Sequence, residues 1–130
     1  MNKPSALIIE DEGDLAEIYS KALQGGGFET EIIQDGQAAL TRLAAGSPPG
    51  VIILDLHLPY VGGSAILQKI RADERYGKTA IIVTTADDRQ AEEMHGKADL
   101  VLLKPISVNQ LRELAKRMVS GGQAADPPAS

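Results

Sequence analysis

A chain of 130 residues makes one domain of ordinary size, and folding at that length buries about two-thirds of the unfolded surface, enough for a self-sufficient core. With 43% apolar and 24% charged residues, no apolar stretch of about 18 residues and no cysteine, the composition is that of a globular domain and excludes membrane spans, disulfide scaffolds, thiolate zinc sites and cysteine nucleophiles. A net charge of −5, only four aromatic residues and no tryptophan argue against a base-stacking surface, and the opening Met1-Asn2-Lys3-Pro4 predicts no secretory leader and a cytoplasmic location.

Ala6-Leu7-Ile8-Ile9 is a short aliphatic run of the kind a strand buried on both faces shows. From Asp14 onward, Leu15, Ile18, Tyr19, Ala22 and Leu23 fall on one helical stripe, and Gly25-Gly26-Gly27 ends that helix. Phe28 to Ile32 alternates apolar with polar, as a half-exposed edge strand does. Asp35-Gly36 reads as a turn, followed by a second helix carrying Ala38, Leu40 and Leu43 and stopped by Gly46 and Pro48-Pro49.

Val51-Ile52-Ile53-Leu54 is the strongest buried-strand signal in the chain. Ile66, Leu67 and Ile70 mark a third helix, and Ala80-Ile81-Ile82-Val83 a fourth strand. Arg89 to Lys97 predicts a weak fourth helix, with apolar residues only at Ala91 and Met94. Leu100-Val101-Leu102-Leu103 is the fifth strand, and Ser107 with Gln110 opens a last helix as a capping-box pair ahead of Leu111, Leu114, Ala115 and Met118. Residues 1–120 are expected to form the domain, and 121–130, rich in Gly, Pro, Ala and Ser, a disordered tail or linker stump.

Strands alternating with helices mean a parallel sheet covered on both faces, with few right-handed arrangements open to it. In such sheets the functional crevice lies beyond the carboxyl ends of the strands, where the winding reverses. The first strand ends in Glu10-Asp11, the third in Asp55, the fourth in Thr84-Thr85-Ala86 and the fifth in Lys104-Pro105. The eight acids between Glu10 and Asp35, against Lys21 alone, are either a solvated surface or in part a cation site. Asp14 reads as an acid favoured by a helix N-terminus. If the first and third strands are neighbours, Glu10, Asp11 and Asp55 crowd together, and crowded carboxylates raise one another's pKa unless a cation neutralises them. An all-oxygen donor set with open positions suits Mg²⁺.

Over residues 5–120 the chain resembles the receiver domain of two-component response regulators. The matching pieces are Leu7-Ile8-Ile9-Glu10-Asp11-Glu12, Ile53 to Pro59 with Gly62-Gly63, Val83-Thr84-Thr85-Ala86 and Leu103-Lys104-Pro105. The resemblance implies an α/β fold: a single doubly wound five-stranded parallel sheet of order 2-1-3-4-5, flavodoxin-like, with five helices. It implies Asp55 as phosphoacceptor, Mg²⁺ held by Glu10, Asp11, Asp55 and the His57 backbone carbonyl, Thr85 as switch hydroxyl and Lys104 as the phosphate-contacting lysine. The phosphoryl donor would be a sensor histidine kinase or a histidine phosphotransfer protein, the chain would catalyse only its own phosphorylation and dephosphorylation, and it would act on a downstream protein, as a monomer or weak homodimer, without contacting nucleic acid or membrane.

The chemistry agrees, since a carboxylate can attack a phosphohistidine and phosphoryl transfer asks mostly for positioning and charge neutralisation. Departures from the family pattern are Val101 where an aromatic is usual, a stretch from Thr85 to Lys104 that is about one helical turn short, and Gly62 where an aspartate often precedes Gly63. With no ring to rotate at Val101, phosphorylation is expected to act by reordering the polar segment from Asp87 to Lys97. A flavodoxin would cradle phosphate with hydroxyls and amides, which Glu10-Asp11-Glu12 would repel, and an aspartyl-phosphate phosphatase would want an acid where His57 stands. The remaining alternative is a receiver-like interaction module that works without phosphate.

Overall fold

The computed structural model describes residues 3–124, with side chains as far as residue 120. The strands are β1 (Ser5–Ile9), β2 (Glu29–Ile33), β3 (Val51–Asp55), β4 (Ala80–Thr85) and β5 (Leu100–Leu103). The helices are α1 (Gly13–Gly25), α2 (Gly36–Ala45), α3 (Gly63–Arg71), α4 (Asp88–Met94) and α5 (Val108–Ala124). All strand pairs are parallel and the order is β2-β1-β3-β4-β5, as expected. The chain winds from β1 outward to β2, then crosses back to β3, so the reversal falls between β1 and β3.

Side chains alternate between the two faces of a strand, and the core divides accordingly. Leu7, Ile9, Ile52, Leu54, Ile81 and Val83 pack against α2 and α3. Ala6, Ile8, Val51, Ile53 and Ile82 pack against α1 and α5. Each fully buried aliphatic contributes about 1.5–3 kcal/mol relative to exposure, which is why β3, buried along its whole length, gives the clearest signal. β2 is an edge strand with exposed glutamates, as its alternation predicted.

The α1 stripe sits one position away from its expected place. Ala16, Tyr19, Ser20 and Leu23 are buried, while Ile18 is 46% exposed. Ser20 is accommodated because its hydroxyl pairs with that of Thr30 at 2.6 Å. Likewise α2 buries Ala39 and Leu43 and leaves Ala38 outside. Asp35 caps α2, its carboxylate accepting the Ala38 N–H at 2.7 Å. Ser107 accepts the Gln110 N–H at 3.2 Å, as its capping role predicted. α5 runs through Gly121 and Gly122 to Ala124, past the expected boundary, and 125–130 of the expected tail lie outside the described residues.

Between α3 and β4 a short 3-10 turn (Glu74–Tyr76) carries a signal the sequence hid. Tyr76 is buried and its hydroxyl donates to the Leu43 carbonyl at 2.6 Å, while Arg75 donates to the same carbonyl at 2.9 Å. Together they satisfy the Leu43 carbonyl, one of those left open in the last turn of α2.

Candidate phosphoryl-transfer site

Each candidate site residue stands at or just beyond the end of a strand. Pairing of Ile9 with Leu54 brings Glu10 level with Asp55, and pairing of Asp55 with Thr84 continues that level into β4. The backbone N–H of Lys104 donates to the Thr85 carbonyl at 2.7 Å, which ties the end of β5 to the end of β4. The loop after Asp55 is folded tightly back by Gly63, whose N–H donates to the Leu56 carbonyl at 3.1 Å. A Cβ at Gly63 would lie 2.5 Å from the Asp55 carbonyl oxygen and 2.6 Å from the Leu56 Cα, so only glycine permits this approach.

Carboxylate oxygens of Glu10, Asp11 and Asp55 lie within 4.8 Å of one another. Glu10 and Asp55 side chains are 1% and 3% exposed, whereas Asp11 stands open at the rim. Lys104, 17% exposed, places its ammonium 3.0 Å from Glu10 Oε1 and 3.5 Å from Asp55 Oδ1. Asp55 Oδ1 also accepts the His57 N–H at 3.1 Å, and Glu10 Oε2 accepts the Glu12 N–H at 3.2 Å.

Three carboxylates against one ammonium leave a surplus of negative charge in a largely dry site. Burial pushes the Glu10 carboxyl up to about 7 against the pull of Lys104, with the Asp55 charge adding to the rise. Burial likewise raises Asp55, opposed by the His57 N–H and by Lys104. For Lys104 burial works downward, but the Glu10 hydrogen bond and both neighbouring carboxylates carry its pKa upward. The donor set fits a hard divalent ion with oxygen ligands such as Mg²⁺, and the exposed Asp11 side leaves room for water or a phosphate oxygen.

Thr85 is buried at the end of β4. Its hydroxyl accepts the Asp87 N–H at 3.1 Å and donates to Gln90 Oε1 at 3.2 Å. Asp87 in turn caps α4, accepting the N–H groups of Arg89 and Gln90. Val101 is half-buried and packs against the cluster that contains Met94. Asp14 lies exposed in the first turn of α1, in keeping with a helical role. His57 is exposed at the rim. Sequence reasoning missed Gln90 altogether; its only sequence signal is a polar residue on the inner side of a helix that has little else to bury.

Residues 6–116 match the response regulator receiver domain, and the chain belongs to that family. It is 34% identical over 111 residues to the sensory transduction protein RegX3 of Mycobacterium tuberculosis, covering 82% of this chain and 47% of RegX3. It is 32% identical over 129 residues to the DNA-binding dual master transcriptional regulator RpaA of Synechocystis, covering 94% and 53% of the two chains. The chain thus spans about half the length of these curated relatives. Among solved structures it is similar to a sensor protein from Polaromonas, with TM-score 0.80, 29% identity and coverage of 93% and 99% of the two chains. The chain is therefore a receiver domain of the kind through which phosphorylation-based two-component signalling passes.

Proposed function

We propose that Asp55 accepts a phosphoryl group from a phosphohistidine and that the resulting acyl phosphate switches the interaction of this domain with a downstream protein. The observation that carries this reading is the convergence of Glu10, Asp11, Asp55, Lys104 and Thr85 at the ends of β1, β3, β4 and β5, with Asp55 buried and raised in pKa among them. Asp55 Oδ1 is engaged by the His57 N–H and Lys104, so Oδ2 is the attacking oxygen. The P–N bond of the donor breaks as the P–O bond forms, and the departing imidazole takes up a proton. Lys104 then turns from Glu10 to the phosphoryl oxygens, and the Thr85 hydroxyl donates to one of them. Glu10, Asp11, Asp55 and the His57 carbonyl would hold Mg²⁺, which supplies charge neutralisation for the phosphoryl oxygens. The only turnover in this reading is gain and hydrolysis of the domain's own phosphoryl group.

The donor in this reading is a sensor histidine kinase or a histidine phosphotransfer protein. A cavity of about 400 Å³ lined by Leu15, Ile18, Ala86, Lys104, Pro105 and Val108 lies at the site's rim, and the exposed Ile18 there gives a donor helix an apolar surface within reach of Asp55. No helix among the described residues is long and apolar enough to cross a membrane, and a cytoplasmic setting suits this reading. RpaA is named as DNA-binding, but the segment matched here is about half of it, and we read this domain as a monomer or weak homodimer acting on protein rather than on nucleic acid. Incubation with acetyl phosphate and Mg²⁺ tests the reading. Uptake of one phosphoryl group that requires Mg²⁺ and is lost in Asp55→Asn is expected; a folded chain that takes up none would mark a phosphate-independent module instead.

A further inference from the structure

We propose that Gln90 is a positioning residue that holds the Thr85 hydroxyl away from the phosphoryl site and couples phosphorylation to movement of α4. The inference rests on the reading of Asp55 as acceptor. A hydroxyl has one hydrogen to donate. In the unphosphorylated chain that hydrogen goes to Gln90 Oε1 at 3.2 Å, while the oxygen accepts the Asp87 N–H at 3.1 Å. Donation to a phosphoryl oxygen therefore requires release of Gln90. The hydroxyl cannot serve both.

Release matters because, beyond the Asp87 cap and its N–H to the Thr85 hydroxyl, little else fixes the N-terminal half of α4. The helix has seven residues, and Met94, in its last turn, is its buried member. Its far end is tethered: Arg71 Nε on α3 donates to the Lys97 carbonyl at 2.9 Å. Between α3 and this segment lies a cavity of about 800 Å³, lined by Ser64, Leu67, Gln68 and Arg71 on one side and Met94 and Lys97 on the other. A helix held at one end by Met94 and Arg71, and at the other by the Thr85 hydroxyl through Gln90 and the Asp87 N–H, has room to pivot about that N-cap once the Gln90 bond breaks. Val101, packed against the core cluster that contains Met94, offers no ring whose rotation could carry the signal instead. Gln90 thus provides a direct link from the switch hydroxyl to the helix, and the bond's cost opposes the phosphorylated state until the phosphoryl group supplies a better acceptor.

The test measures affinity of the full chain for beryllofluoride, which copies a phosphoryl group on a carboxylate, in saturating Mg²⁺, read by the amide resonances of Ala86 and Asp87. Gln90→Met, which keeps length and helix propensity but removes the acceptor, should bind about 3- to 10-fold more tightly than the parent, the equilibrium worth of one neutral hydrogen bond. Gln90→Glu, which retains an acceptor, should bind no more tightly than the parent. In a Thr85→Val background the Gln90→Met gain should vanish, because the two residues then have no bond to lose. Equal affinity of Gln90→Met and parent, or a gain that persists without the Thr85 hydroxyl, would overturn the proposal while leaving the acceptor assignment intact. A parent that binds no beryllofluoride would overturn both. Independently of any variant, beryllofluoride should speed amide exchange in the parent across residues 88–93; unchanged exchange there would also contradict it.

Discussion

The Lys104 ammonium lies 3.0 Å from Glu10 Oε1 and 3.5 Å from Asp55 Oδ1, so in this structure the lysine is the counterion of these two buried carboxylates. Removing it should strand charge. Lys104→Met should cost the metal-free protein about 2 kcal/mol or more at pH 8, where Glu10 and Asp55 must ionise without a partner. At pH 5.5, below the Glu10 value of about 7, that carboxyl can hold a proton and the cost should be smaller. Denaturant melts at the two pH values, with and without Mg²⁺, check this; equal losses at both would show that Lys104 acts through packing.

The raised Glu10 carboxyl fixes the sign of a second pH effect. Its value of about 7 in the fold against 4.5 in the unfolded chain means that the metal-free protein loses stability as pH rises from 4.5 to 7. An ion must displace that proton, so apparent Mg²⁺ affinity should climb with pH up to about 7 and level off above it. Glu10→Gln should weaken binding and flatten the climb. Calorimetric titrations at several pH values decide the matter.

Asp11 and Asp14 stand three residues apart and should differ sharply. Asp11→Ala removes one of three clustered carboxylates and should weaken Mg²⁺ binding at least 10-fold, whereas Asp14→Ala should change it less than 2-fold. Asp14→Ala should instead cost a few tenths of a kcal/mol of stability by removing an acid from a helix N-terminus.

His57 is exposed at the rim, two residues beyond Asp55, and should flank the path of the water that hydrolyses an acyl phosphate on Asp55. Replacing it with alanine should alter the decay rate of the phosphorylated protein without changing which residue carries the label. Decay followed by intact mass after removal of the donor measures this directly.

The sheet and the candidate site were legible for one physical reason. Strands buried on both faces must be short aliphatic runs, so a carboxylate that ends such a run stands out, as Asp55 does after Val51 to Leu54; Lys104 ends the aliphatic run of β5 in the same way, although that edge strand is only half-buried and Leu103 is exposed. The stripe of α1 was less legible, because Leu15, Ile18 and Ala22 satisfy helical periodicity as well as Ala16 and Ser20 do, and the Ser20–Thr30 bond that decides between them joins two elements. The Arg75–Tyr76 clasp on α2 and the Thr85–Gln90 bond were hidden likewise: each depends on where a polar side chain finds its partner in three dimensions, which no spacing rule encodes.

The acceptor assignment is tested most directly by locating the phosphoryl group in the native chain. After exposure to acetyl phosphate and Mg²⁺, peptide mass spectrometry should find the modification on Asp55 and on no other residue, with none in Asp55→Asn protein that retains the fold. A phosphoryl group mapped to Asp11, His57 or any other side chain, with Asp55 unmodified, would contradict the account.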